Sequence, residues 1–185
     1  MNKFVKVMFG TTSGANSDYE YKLNEVNESG NWNPNAKSGK DFGGFNYCDE
    51  KCILRWLHRG DTLYDVEVPE NAENIKIDGA TTIYRANKII IRNPKNVTDE
   101  LALHFYEISE IPEESYYRAL CAVTLMGYEK TAYAILRDKV NKDNIDIVLE
   151  EWNSFFDHNG KDDRKYSSEL IPIIESELLK IKKTL

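Results

Sequence analysis

The chain has 185 residues, 41% apolar and 11% aromatic, enough to bury a core, which excludes disorder as a whole. No run approaches the roughly 20 consecutive apolar residues that span a bilayer, residues 1–10 lack the apolar centre of a secretory signal, and three cysteines make no disulfide framework. These features exclude the membrane and disulfide-rich secreted classes and predict a cytoplasmic protein with reduced thiols. The net charge of −7 resides wholly in residues 98–185, which carry 11 Lys/Arg against 18 Asp/Glu, whereas residues 1–97 carry 13 of each.

In chain order, Phe4 to Phe9 is rich in strand formers and ends at Gly10, so a strand should run into a turn over Thr11 to Gly14. Residues 14–44, with five glycines and Pro34, read as a long connection, and its Trp32 and Phe42 indicate that it packs against something. Phe45 to Cys48 is a short strand entered through Gly43-Gly44. Asp49 then caps a helix with Cys52, Ile53, Trp56 and Leu57 at helical spacing, ended by Gly60. Thr62 to Val68 alternates apolar and charged residues as a half-buried strand does. Ile75 to Ile77 and Lys88 to Ile91 are further strands, the latter closed by Asn93-Pro94.

From Thr98 the period becomes helical, with Thr98 as N-cap and Asp99 and Glu100 in the first turn. Further helices are expected from about Pro112 to Gly127, Tyr128 to Val140, Asp143 to Phe156 and Ser167 to Ile181, with a polar linker from His158 to Asp163. The expected class is therefore α+β: a β-rich module with one helix over residues 1–97, then a small all-helical acidic module over 98–185. Arg118 to Gly127 followed by Ala134-Ile135-Leu136 resembles one helix pair of an ankyrin-like repeat, and as a single copy it reads as a helical hairpin.

No P-loop, dinucleotide GxGxxG, HExxH or nucleophile elbow is present, so these enzyme classes lack their signatures. Only His58, His104 and His158 could serve a histidine-based catalytic pair, and each has a plainer structural reading. Cys48 and Cys52 would share a helix face but lack the companions of a closed zinc site, so no metal is expected. The acidic helical half disfavours nucleic-acid binding. A basic set of Arg55, Arg59, Arg85, Lys88 and Arg92 beside Trp56 and Tyr84 is the alternative, with Arg55 and Arg59 on one helix face.

Met8-Phe9-Gly10-Thr11-Thr12, Lys40 to Tyr47, the helix with Trp56 and the strand Tyr64-Asp65-Val66-Glu67-Val68 resemble, in that order, the layout of the ADP-ribosyltransferase-like fold. That resemblance implies an NAD-binding enzyme or nucleotide sensor using Gly10, Thr11, Gly44 and Tyr47. Phe9 stands where that family has Arg or His, and no Ser-Thr-Ser follows. Glu67, Glu100 and Glu107 match the family's catalytic glutamate by residue type only, so the catalytic residue is unknown. A second resemblance runs through Trp32-Asn33-Pro34, Asp41 to Phe45, Ile53 to Asp61, Tyr84 to Ile91 and Thr98 to Glu100. These segments look like uncharacterised proteins of phages and mobile elements, and like N-terminal segments of giant-virus ankyrin proteins. They imply a non-catalytic binding protein without a cofactor, which blocks a host defence protein, a nucleoprotein complex included. Tyr19, Tyr21, Trp32, Arg55 and Arg59 are its expected contact residues, since aromatic and Arg anchors dominate interfaces.

Overall fold

Strict alternation over Phe4-Val5-Lys6-Val7-Met8 puts Phe4, Lys6 and Met8 on one face of a strand and Val5 and Val7 on the other, with all but Phe4 buried. In a computed structural model that describes residues 3–14, 16–37, 41–159 and 168–183, this strand is β1 (Phe4–Met8). It lies between β5 (Phe45–Asp49) and β6 (Thr62–Glu67), both antiparallel, with Val5 opposite Cys48 and Asp65. The other strands are β2 (Thr12–Ser13), β3 (Asn16–Glu20), β4 (Val26–Glu28), β7 (Asn74–Ile77), β8 (Ile83–Ala86) and β9 (Lys88–Asn96). Seven of them form one antiparallel sheet in the order β4-β9-β6-β1-β5-β8-β7, while β2 and β3 form a separate hairpin.

The architecture is α+β, and contacts divide the chain into two units: Met1–Ile53 with Arg59–Val97, and Leu54–His58 with Thr98–Leu185. The segment Glu50–Arg59 is a 3-10 helix whose Asp49 carboxylate accepts from the Lys51 amide. Its residues thus belong partly to each unit. At three residues per turn, positions four apart do not share a face, so the expected alignment of Arg55 with Arg59 does not hold. Cys48 sits in β5 rather than on a helix with Cys52, so the expected shared face of the two thiols does not hold either.

The connection over residues 14–44 is not structureless: β3 and β4 lie within it. Asn27 explains part of its order. Its buried side chain accepts from the Lys22 amide at 2.8 Å and donates to the Lys22 and Glu25 carbonyls, closing the turn that leads into β4. Strand β9 does not stop at Asn93-Pro94. Opposite β6 the register slips there, and Asn93 takes φ +50°, so the residue without an N–H falls at a bulge where no ladder bond is lost.

The second unit holds α1 (Asp99–Glu107), α2 (Ser115–Leu125), α3 (Glu129–Lys139), α4 (Ile145–Asn159) and α5 (Leu170–Lys183). Thr98 caps α1, its hydroxyl accepting from the Leu101 amide. Asp99 does the same for another helix: its carboxylate accepts from the Lys130 and Thr131 amides and the Thr131 hydroxyl at the start of α3. Gly127, with φ +75°, turns α2 into α3. Every residue of α2 except Arg118 is buried, and Leu120, Ile135, Ile145, Trp152 and Phe155 fill the interior. Among the described residues no helix is long and apolar enough to cross a membrane.

Candidate functional site

The face of the sheet that carries Phe4, Lys6 and Met8 is the most chemically varied part of the first unit. Cross-strand registers bring Tyr64 beside Lys6, and Phe45 and Tyr47 share that face. Tyr47 stacks on Tyr84 with centroids 5.4 Å apart, and Phe4 meets both rings edge-on. The β2–β3 hairpin and the residue after it close over this surface, with Tyr19, Tyr21 and Phe45 in mutual ring contact near 5 Å.

Lys6 is only 5% exposed. Its ammonium nitrogen donates to the Asn46 carbonyl at 2.8 Å and lies 5.3 Å from the centre of the Tyr21 ring. Burial lowers its pKa to about 7, the nearby Cys48 raising it and Arg85 lowering it further by smaller amounts. Burial also pushes the Tyr47 hydroxyl up to about 12 and raises Tyr21, Tyr64 and the Cys48 thiol. The tyrosine hydroxyls and the Cys48 thiol are therefore neutral at neutral pH, and the Lys6 amine gives up its proton far more readily than an exposed lysine does.

The residues expected from sequence fall around this surface in different states. Gly10 and Thr11 form the turn before the hairpin: the Gly10 carbonyl accepts from the Tyr64 hydroxyl at 2.9 Å, and the Thr11 carbonyl from the Tyr21 amide. Tyr47 is buried inside the aromatic cluster. Gly44 has φ +69°, and a Cβ there would sit 2.6 Å from both the Ala86 carbonyl oxygen and the Trp32 ring. The space against this glycine is thus filled by the chain's own indole, whose Nε1 donates to Glu73 at 2.7 Å. Lys40, part of the same motif, lies outside the described residues.

Among the expected contact residues, Tyr21 is in the core at 2% exposure and offers no surface, while Tyr19 and Trp32 are half-buried and packed. Arg55 lies over the Trp56 ring, and Arg59 is exposed. In the same basic set, Arg85 donates to the Gly43 carbonyl, Lys88 pairs with Glu28, and Arg92 with Glu67. Of the glutamates, Glu67 is therefore in an ion pair, Glu100 pairs with Lys130, and Glu107 is exposed at the end of α1. His58 is buried against Phe155, His104 is exposed on α1, and the side chain of His158 lies outside the described residues. No group of three or more His, Cys, Asp or Glu among the described residues is placed to hold a metal ion.

Lys6 is the residue of this surface that motif reading passes over. A signal for Lys6 was present: period-two alternation places it between Phe4 and Met8 on an apolar face, where a lysine is out of character.

The helical unit carries a second candidate surface. Tyr133 on α3, Ile147 on α4 and Leu179 on α5 are exposed large apolar side chains. The ion pair of Lys182 with Asp146 brings the end of α5 to the start of α4, and Lys180 lies close enough to Tyr133 to interact with it electrostatically. Each of these three helices thus presents an exposed apolar residue near one of these contacts, beside charges paired as Lys182 with Asp146 and Lys180 with Glu177. Single exposed apolar residues are ordinary, whereas a group of them marks a contact surface. Comparisons with protein families, with curated proteins and with solved structures find no match to this chain.

Proposed function

We propose that the protein is a non-catalytic binding protein of phage or mobile-element type, which blocks a host defence protein by covering a surface that protein needs. The observation that carries this reading is the exposed group Tyr133, Ile147 and Leu179, set in the half of the chain that holds the whole acidic excess. Apolar anchors bounded by paired charges are the composition of an interface centre and its rim. The acidic excess favours a basic partner surface, such as the nucleic-acid channel of a nucleoprotein complex. The first unit supports the same reading from the other side: its glycine platform is covered by Trp32, and its aromatic face is closed by Tyr21. An NAD site built on Gly10, Thr11, Gly44 and Tyr47 requires the indole to leave.

The test is capture from host lysate with the tagged wild-type chain and with the double variant Ile147→Asp, Leu179→Asp. Wild type should retain one host protein at near-stoichiometric level, and the double variant should lose it while keeping its melting midpoint. No stoichiometric partner, or equal retention by the double variant, removes this assignment.

A further inference from the structure

We propose that strand β7 is a self-complementary edge, through which two copies of this chain pair antiparallel about Ile77 and join their sheets. β7 (Asn74–Ile77) ends the seven-stranded sheet and is bonded on one side, to β8. The Asn87 amide donates to the Glu73 carbonyl, so by the alternation of an antiparallel ladder Glu73, Ile75 and Ile77 turn their N–H and C=O groups toward β8. Asn74 and Lys76 turn theirs outward, and Asp78, one residue past the strand, continues that series.

An open edge is a template for pairing, and a lysine on it is a common guard. Here the guard has a matching charge: Lys76 and Asp78 flank Ile77 on one face, and their side chains, paired with each other at 3.0 Å, are 54% and 71% exposed. In an antiparallel pair with its twofold axis at Ile77, Lys76 stands opposite the partner's Asp78, and Asp78 opposite the partner's Lys76. The local ion pair in each copy is exchanged for a cross-strand one. Hydrogen-bonding parity agrees, because Lys76 and Asp78 both belong to the outward series. Ile77 meets the partner's Ile77, and Ile75 faces the partner's Gly79, which has no side chain to obstruct it.

Other registers of the same parity match less well. With the axis at Lys76 two lysines face each other, and with the axis at Ile75 Lys76 faces the partner's Asn74. The opposite edge of the sheet, β4, is shorter and carries Glu25 and Glu28 with no basic residue between them, so it has no self-match. A few main-chain bonds, two ion pairs and an isoleucine contact make a small interface, and the pair is weak, with a dissociation constant on the order of 100 μM.

Sedimentation equilibrium of the full chain from about 10 μM to about 1 mM tests this, with the variants Lys76→Asp, Asp78→Lys and the double exchange of both. Wild type should pass from mostly monomer to mostly dimer. Each single variant opposes like charges and should weaken association about 10-fold, while the double exchange restores it. An equimolar mixture of the two single variants should associate as well as wild type, because the acidic edge of one matches the basic edge of the other. In wild type the Lys76 amide should gain protection from hydrogen exchange as concentration rises, and the Val26 amide on β4 should gain none. A chain that stays monomeric across the range overturns the proposal. So does a dimer that the single variants leave intact, that neither the double exchange nor the mixture restores, or that protects Val26 instead of Lys76.

Discussion

The two units bury their interiors by different means. The sheet unit encloses Lys6, Asn27 and the hydroxyls of Tyr21, Tyr47 and Tyr64, so its integrity depends on hydrogen bonds and on which groups are ionised. The helical unit is filled by Leu120, Ile135, Ile145, Trp152 and Phe155, and its buried Thr131 is satisfied by Asp99. It also buries His58, Ser115 and Thr124, but the bulk of its interior is apolar and depends on shape. A polar interior responds to pH and to the loss of single partners, whereas an apolar one responds to lost volume.

That contrast can be tested by substitutions in each unit. Ile135→Ala, at a fully buried position, should cost about 2–5 kcal/mol by urea unfolding and should cost the same at pH 6 and pH 9. A cost that changed with pH would show that the helical core is not purely a matter of packing. In the sheet unit, Gly44→Val combines a positive φ with contacts to Trp32 and to the Ala86 carbonyl, and should cost about 3 kcal/mol or more. This substitution therefore reports on folding, and lost ligand binding in that variant would say nothing about a pocket. Asn27→Ala strands the Lys22 amide and two carbonyls and should cost about 2 kcal/mol, with faster amide exchange in β4.

Smaller effects sharpen the helical side. Asp99→Ala removes the carboxylate at the start of α3 and should cost about 1–2 kcal/mol, lowering the melting midpoint by a few degrees. Lys180→Ala breaks an exposed pair with Glu177 and should leave the melting midpoint unchanged; a clear fall would mean that this end of α5 carries structural load.

The sequence was most readable where one period dominates. The alternation of Thr62 to Val68 appears as β6, and Thr98-Asp99-Glu100 before Leu101 appears as a capped α1. Pro172 sits in the first turn of α5, where its missing N–H costs nothing. It was least readable where tertiary contacts set the backbone. Asn-Ser-Asp-Tyr-Glu forms β3 through its pairing with β2, and no local pattern announces it. Ile83 to Ala86 becomes β8 because it lies between β5 and β7. The apolar spacing of Cys52, Ile53, Trp56 and Leu57 suits either helix type, and the chain takes the tighter one.

The candidate surfaces were legible to a similar degree. Tyr47 lies in the aromatic cluster of the sheet and Gly44 against the Ala86 carbonyl, but that Trp32 would cover Gly44 depends on contacts remote in sequence. Tyr133, Ile147 and Leu179 could not be singled out at all, because each lies on a different helix and its exposure is decided by how that helix packs.

The most direct test of a non-catalytic chain with a closed sheet face is thermal unfolding with and without millimolar NAD, with nicotinamide release followed in the same sample. A ligand at about 100 times its dissociation constant stabilises by roughly 2.7 kcal/mol, a shift of about 5–10 °C at this chain length. The account predicts an unchanged midpoint and no released nicotinamide. A shift of that size accompanied by nicotinamide release would contradict it, and would mean that Trp32 vacates Gly44 to admit the nucleotide.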